Sequence, residues 1–291
     1  MVYPLQSRMI GRNKNSLGGQ MRNKNRTAEV EAPSFSPLNF VAPTEFVELP
    51  SQGRGYPDGH PLMGATDLEI KFMTAVEEDI LTNQSYLKKG VAIDRFLSSV
   101  IIDNTIDPNT LLVADKNAIL VAARISGYGP EYEANMTCPS CEKVQEISFN
   151  LANSKPVPGT IPESSNLEML ASGRYSMKLP RSGFNIEVGL LTTADEKLLT
   201  NLVLAAIDGD ETVSLMSSQY ERMIKSIEGH EEEAIIKEFV KVMPTVDSRE
   251  LKMAYNSINP KFEIKDTFNC NNCEHSEEVD VPVGANFFRP E

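Results

Sequence analysis

Two Cys-x-x-Cys pairs, Cys138/Cys141 and Cys270/Cys273, lie 132 positions apart inside matching strand-like segments. Laid over one another without gaps, CPSCEKVQEISFNL (138–151) and CNNCEHSEEVDVPV (270–283) share both cysteines and two glutamates, Glu142 with Glu274 and Glu146 with Glu278. Ile147, Phe149 and Leu151 fall over Val279, Val281 and Val283, the alternation of a half-buried strand. This pattern constrains the chain in two ways. It suits a pair of thiolate turns that open hairpins, and it points to an internal duplication.

Other segments repeat in the same order. LEIKFMTAVEEDILTN (68–83) aligns without gaps to IEVGLLTTADEKLLTN (186–201) with six identities, and LPSQG (49–53) returns as LPRSG (179–183). The offsets are 130, 118 and 132. A repeat of this kind is read before any single element, because it changes the architecture expected. The fold class is therefore α+β: two diverged pseudo-repeats of a strand–helix–Cys-hairpin unit, with a helical insertion at about 208–260 in the second and a disordered to extended N-terminal arm. The domains expected are an arm over 1–45, a first repeat over 46–155 and a second over 156–291.

Local signals fill in the units. Thr74-Ala-Val-Glu77 reads as a capping box opening a helix to about Leu81. Residues 92–103 place Ile93, Phe96, Leu97, Val100 and Ile101 on one helical face, and 115–127 begins at an Asp cap and stops at Gly127. In the second half, 174–180 and 184–191 read as strands and Thr192 or Thr193 opens a helix to about Ile207. Apolar spacing predicts insertion helices over 210–227 and 231–243, and Asp247-Ser-Arg-Glu250 a capping-box-like start for a third, to about Ile258. Residues 156–165 read as a Pro-rich linker, and the 51–67 loop as turn-rich, with His60 a turn residue.

Charge is unevenly placed. The whole chain carries −13, but residues 1–26 hold six basic residues (Arg8, Arg12, Lys14, Arg22, Lys24, Arg26) and no acid. The remaining 22 basic and 41 acidic residues give 22 − 41 = −19. Such an acidic body disfavours a broad nucleic-acid face, which needs clustered positive charge. There is no run of about 18 apolar residues, so no membrane-spanning helix is expected. The start lacks the apolar stretch of a secretory signal. Residues 33–50 interleave four prolines with Phe35, Phe40 and Phe46, an extended segment whose aromatics would anchor on the body or on a neighbour. Phe287 and Phe288 near an acidic terminus point to docking in the same way. With the six basic residues, these phenylalanines are the candidate partner-binding positions.

The cysteines are the candidate metal ligands. Zinc takes four tetrahedral ligands, and each Cys-x-x-Cys turn supplies two thiolates. A structural zinc shared by Cys138, Cys141, Cys270 and Cys273 is the reading adopted. A thiol pair in each hairpin, disulfides, or sites completed across a subunit interface are the alternatives. His275 is a lesser candidate that points to solvent. The three histidines (His60, His230, His275) accompany no phosphate loop, nucleophile elbow or metalloprotease helix, so no enzyme is expected.

FVELPSQGRGYPDGHPL (46–62), MTAVEEDILT (73–82), KKGVAIDRFL (88–97), LLVADKNAILVAARISGYG (111–129), TCPSC (137–141) and VPVGANFFRP (281–290) resemble the baseplate hub subunit family of T4-like contractile-tailed bacteriophages. The resemblance runs over about 45–151 and the last thirty residues. It implies a virion structural or tail-assembly protein at the centre of the baseplate, with hub, tube or spike proteins as partners, assembled in the host cytoplasm. It does not imply that the cysteines are metal ligands. The rival reading is a zinc-ribbon accessory protein that binds nucleic acid through its basic arm.

Overall fold

The computed structural model describes residues 41–208, 214–281 and 287–288. The arm expected over 1–45 falls almost wholly outside them, and with it Phe35, Phe40 and all six basic candidates. Strand β1 (Thr44–Glu48) pairs antiparallel with β2 (Asp67–Lys71), Val47 facing Leu68. The loop between them folds back on itself: the Gly64 amide donates to the Gly53 carbonyl at 3.0 Å. Gly53 has φ +70, and a Cβ there would sit 2.3 Å from the Ala65 nitrogen, so only glycine fits. Helices α1 (Ala75–Thr82), α2 (Gln84–Lys88), α3 (Ala92–Val100) and α4 (Val113–Tyr128) follow. The expected capping box is present, the Thr74 amide donating to Glu77 Oε2 at 2.9 Å. The first cysteine hairpin comes next, as β3 (Glu131–Thr137) and β4 (Val144–Asn150).

In the second half β5 (Lys155–Val157) precedes β6 (Glu168–Met169), β7 (Tyr175–Lys178) and β8 (Asn185–Val188), then α5 (Thr193–Asp208) and α6 (Leu215–Met223). Strand β9 (Ile224–Ile227) completes an antiparallel sheet of order β6-β7-β8-β9. Helices α7 (Glu233–Val242) and α8 (Thr245–Ile258) lead through β10 (Lys261–Glu263) to the second hairpin, β11 (Lys265–Asn269) and β12 (Ser276–Asp280).

Four local expectations need correction. The helix read over 210–227 ends at Met223, and 224–227 is a strand. Ile224 and Ile227 are buried, and as a strand they supply partners for the backbone groups along the open edge of β8. The linker at 156–165 is partly sheet: Pro156 lies opposite Phe262 in the β5–β10 pair. Helix α4 ends beyond Gly127, at Gly129 with φ +84. Gly127 lies inside it, where a Cβ would come 3.0 Å from the Met73 sulfur. Finally, neither Asp115 nor Asp247 is a cap. Each lies in the first turn of its helix, fully buried, with its carboxylate directed at a distant turn.

Those two carboxylates tie each strand turn to a helix start. Asp115 Oδ1 accepts from the Ser51 amide at 2.9 Å, and its Oδ2 from Ser51 Oγ at 2.6 Å and Tyr56 OH at 2.8 Å. Asp247 accepts from the Arg181 amide at 2.7 Å and the Ser182 amide at 2.9 Å. Buried amides without such partners would cost stability. One large core runs through both halves, from Leu49, Phe96 and Ile119 to Ile186, Leu251 and Tyr255. A smaller cluster, with Val121 of α4, Tyr132, Phe149, Leu151, Val281 and Phe287, lies under the two cysteine hairpins. That cluster positions the candidate site.

Candidate metal centre

Each hairpin ends in the same tight knuckle. In the first, the Cys138 amide donates to the Lys143 carbonyl at 3.0 Å; in the second, the Cys270 amide donates to the His275 carbonyl at 2.9 Å. The turns point both cysteine side chains of each pair to one side. Beneath them, Asp266 of β11 accepts from the Asn150 amide at 2.7 Å, which fixes one hairpin against the other. Cys138 Sγ then lies 3.8 Å from Cys273 Sγ and Cys141 Sγ 3.7 Å from Cys270 Sγ. All four sulfurs fall within 4.8 Å of one another. The close pairs cross from one hairpin to the other.

These separations decide between chemistries. A disulfide needs sulfurs about 2.05 Å apart, and the close pairs are far beyond that. Four thiolates about 2.3 Å from a tetrahedral ion would lie about 3.8 Å from each other, which the two close pairs match. The donor set is all sulfur, half-buried except for buried Cys138. It fits a soft divalent ion held in a closed shell. His275 stands apart from the sulfurs, its Nε2 3.2 Å from Glu277 Oε1.

Donors surround the sulfurs. Gln145 Nε2 lies 3.1 Å from Cys270 Sγ, and the Asn272 and Cys273 amides each lie 3.4 Å from it. The Gln145 bond, opposed by desolvation and joined by those amides, brings the Cys270 thiol down to about 6. The Lys143 amide, against desolvation and with help from Asn272, holds Cys141 below the usual thiol range. At Cys273 the His275 amide favours the thiolate, but Cys270, desolvation and the other two sulfurs outweigh it and push the thiol up to about 11. Crowded thiols that cannot all ionise unaided are what a bound cation would stabilise.

The remaining candidates separate. Phe46 is 68% exposed on β1 among the described residues. Phe287 is 4% exposed and packs edge-on against Tyr132, with ring centroids 5.3 Å apart, while Arg124 Nε donates to its carbonyl at 2.7 Å. Phe288 packs on Phe96 at 5.2 Å. Both rings, read as candidate partner-binding positions, pack instead within the chain's own core. Sequence reasoning missed Gln145 and Asn272. The Asn-Asn inside the second turn was the visible signal for one; nothing in the sequence marked the other.

Among the described residues no helix is long and apolar enough to cross a membrane. Comparison with the curated proteins and with the solved structures returns no match. A family model described as "T4 bacteriophage base plate protein" matches residues 43–289, which takes in both strand turns, both helices bearing a buried aspartate, and both cysteine hairpins. The chain therefore belongs to the T4 bacteriophage base plate protein family.

Proposed function

We propose that the chain is a non-catalytic building block of the central hub of a contractile-tail baseplate, assembled in the host cytoplasm and binding neighbouring tail proteins through its N-terminal arm. The observation that carries this reading is the family match across the whole folded body. The acidic body and basic arm support contacts between unlike surfaces of neighbouring subunits. Phe46, with Phe35 and Phe40 of the same Pro-rich segment, supplies the aromatic anchors.

The body is built from two diverged copies of one module, joined at their hairpins by a structural zinc on Cys138, Cys141, Cys270 and Cys273. Three equivalences support the duplication. Asp115 and Asp247 stand 132 positions apart, as the cysteine pairs do, and each accepts from a turn in the corresponding LPSQG or LPRSG segment. The knuckle bonds from Cys138 and Cys270 match at the same offset. Thr192 and Asp195 repeat the Thr74–Glu77 box, the Thr192 amide donating to Asp195 Oδ2 at 3.2 Å.

The test of the building-block role is assembly. Deleting residues 1–41 should leave the body folded by circular dichroism yet exclude it from tails purified from infected cells. Normal incorporation of the truncated chain would remove the arm from the mechanism. The zinc is tested separately, by elemental analysis of protein made without chelators, which should find close to one zinc per chain.

A further inference from the structure

We propose that Gln145 and Asn272 are positioning residues of the four-thiolate centre, each hairpin directing a side-chain amide at a sulfur of the other. The inference rests on the zinc reading and specifies what sets that site's grip. Gln145 lies on β4, in the first hairpin, and its Nε2 donates to Cys270 Sγ of the second at 3.1 Å. Asn272 lies in the second knuckle, and its Nδ2 is 3.6 Å from Cys141 Sγ of the first.

The orientation of both amides is fixed by their oxygens. Gln145 Oε1 accepts from the Asn271 amide at 2.7 Å, and Asn272 Oδ1 accepts from Lys143 Nζ at 2.6 Å. Turning either amide over would set N–H against N–H on one side and oxygen against sulfur on the other. Each NH2 is thus held toward a thiolate by a donor from the opposite hairpin. N–H bonds to metal-bound thiolates offset the negative charge of a four-sulfur shell, and such supporting contacts are commonly worth about 10–100-fold in metal affinity.

The crossing does not follow from the repeat. At the offset of 132, Gln145 corresponds to Glu277 and Asn272 to Ser140. Glu277 offers no donor and faces His275 instead. The two hairpins are therefore unequal in what they contribute around the sulfurs, although they are equal in the sulfurs themselves. Gln145 is half-buried and Asn272 exposed, so the larger effect belongs to Gln145.

The experiment is zinc competition against a chromophoric chelator on the full chain, with cobalt substitution as a second readout. Gln145→Leu keeps the bulk and removes the donor; Glu146→Ala, exposed on the same strand, controls for general loosening of the hairpin. The expected result is zinc held about 10–100-fold more weakly in Gln145→Leu, a smaller loss in Asn272→Ala, and wild-type affinity in Glu146→Ala. The thiolate-to-cobalt charge-transfer band should shift in Gln145→Leu, which a merely loosened strand would not produce. Wild-type protein that binds zinc no better than Gln145→Leu, with the band unmoved, would overturn this inference and leave the zinc reading intact. Wild-type protein that takes up no zinc at all would overturn the zinc reading, and this inference with it.

Discussion

Asp115, Asp247 and Glu77 show how single buried carboxylates organise this chain. Burial alone would raise Glu77, but Lys71 at 2.8 Å, the Ser99 hydroxyl and both donors of Thr74 overcome it and hold the carboxyl at about 2. A carboxyl depressed below its unfolded value contributes stability that is present above about pH 4.5 and lost as pH falls toward 2. Glu77→Gln should accordingly flatten the acid limb of a stability–pH curve measured by denaturant midpoints. An unchanged acid limb would show that the Glu77 carboxyl is not held down by Lys71, Ser99 and Thr74 in the folded state. Asp247 makes a different prediction. Its truncation to alanine leaves the Arg181 and Ser182 amides without their acceptor, and should cost about 2–4 kcal/mol by urea unfolding. Asp115 is the harder case, because burial raises its carboxyl while Ser51 and Tyr56 pull it down.

Among elements, the loop between β1 and β2 depends on backbone that a side chain would obstruct. Gly53→Ala adds a Cβ in a left-handed conformation and drives it against the Ala65 and Gly64 backbone. The expected outcome is a loss of about 1–3 kcal/mol of unfolding free energy, read from denaturant unfolding. The cysteine hairpins respond to a different treatment. They sit on the small cluster around Tyr132 and Phe149 rather than in the large core. Stripping the proposed zinc with a chelator should therefore speed amide exchange over 131–150 and 265–280 while α3 and α4 stay protected. Equal exchange throughout, with and without chelator, would mean the sulfurs do not hold the hairpins. Arg124 gives the same region a metal-free tie, its guanidinium donating to the carbonyls of Phe287, Gly129 and Glu131.

At the scale of the whole molecule, one body carries an exposed aromatic beside acidic side chains. Phe46 is bordered by Glu48, Thr66 and Asp67, and replacing it with glutamate removes an anchor without opening the core. Phe46→Glu should melt like wild type and yet be depleted from assembled tails on quantitative immunoblots. Phe287→Ala should do the reverse, lowering the melting temperature because that ring is buried against Tyr132 and Phe288.

Much of this organisation was legible in the residues. The Thr74 box, the apolar face of α3, the paired strands around LPRSG and the two thiol turns are local patterns, set by spacing and capping chemistry that act within a few residues. The matched Cys-x-x-Cys spacing of the two hairpins is legible in the same way. Other features depend on contacts between distant parts of the chain. Residues 224–227 have helical periodicity and become strand because β8 offers an open edge, and Asp115 and Asp247 look like caps until distant turns present their amides. So it was at the sulfurs. Sequence by itself determined which four atoms are alike, since both strand-like segments carry the same Cys-x-x-Cys spacing. Only the tertiary structure decided that they meet within 4.8 Å and that Gln145 reaches across to Cys270, because proximity between hairpins depends on the packing beneath them, which no local pattern records.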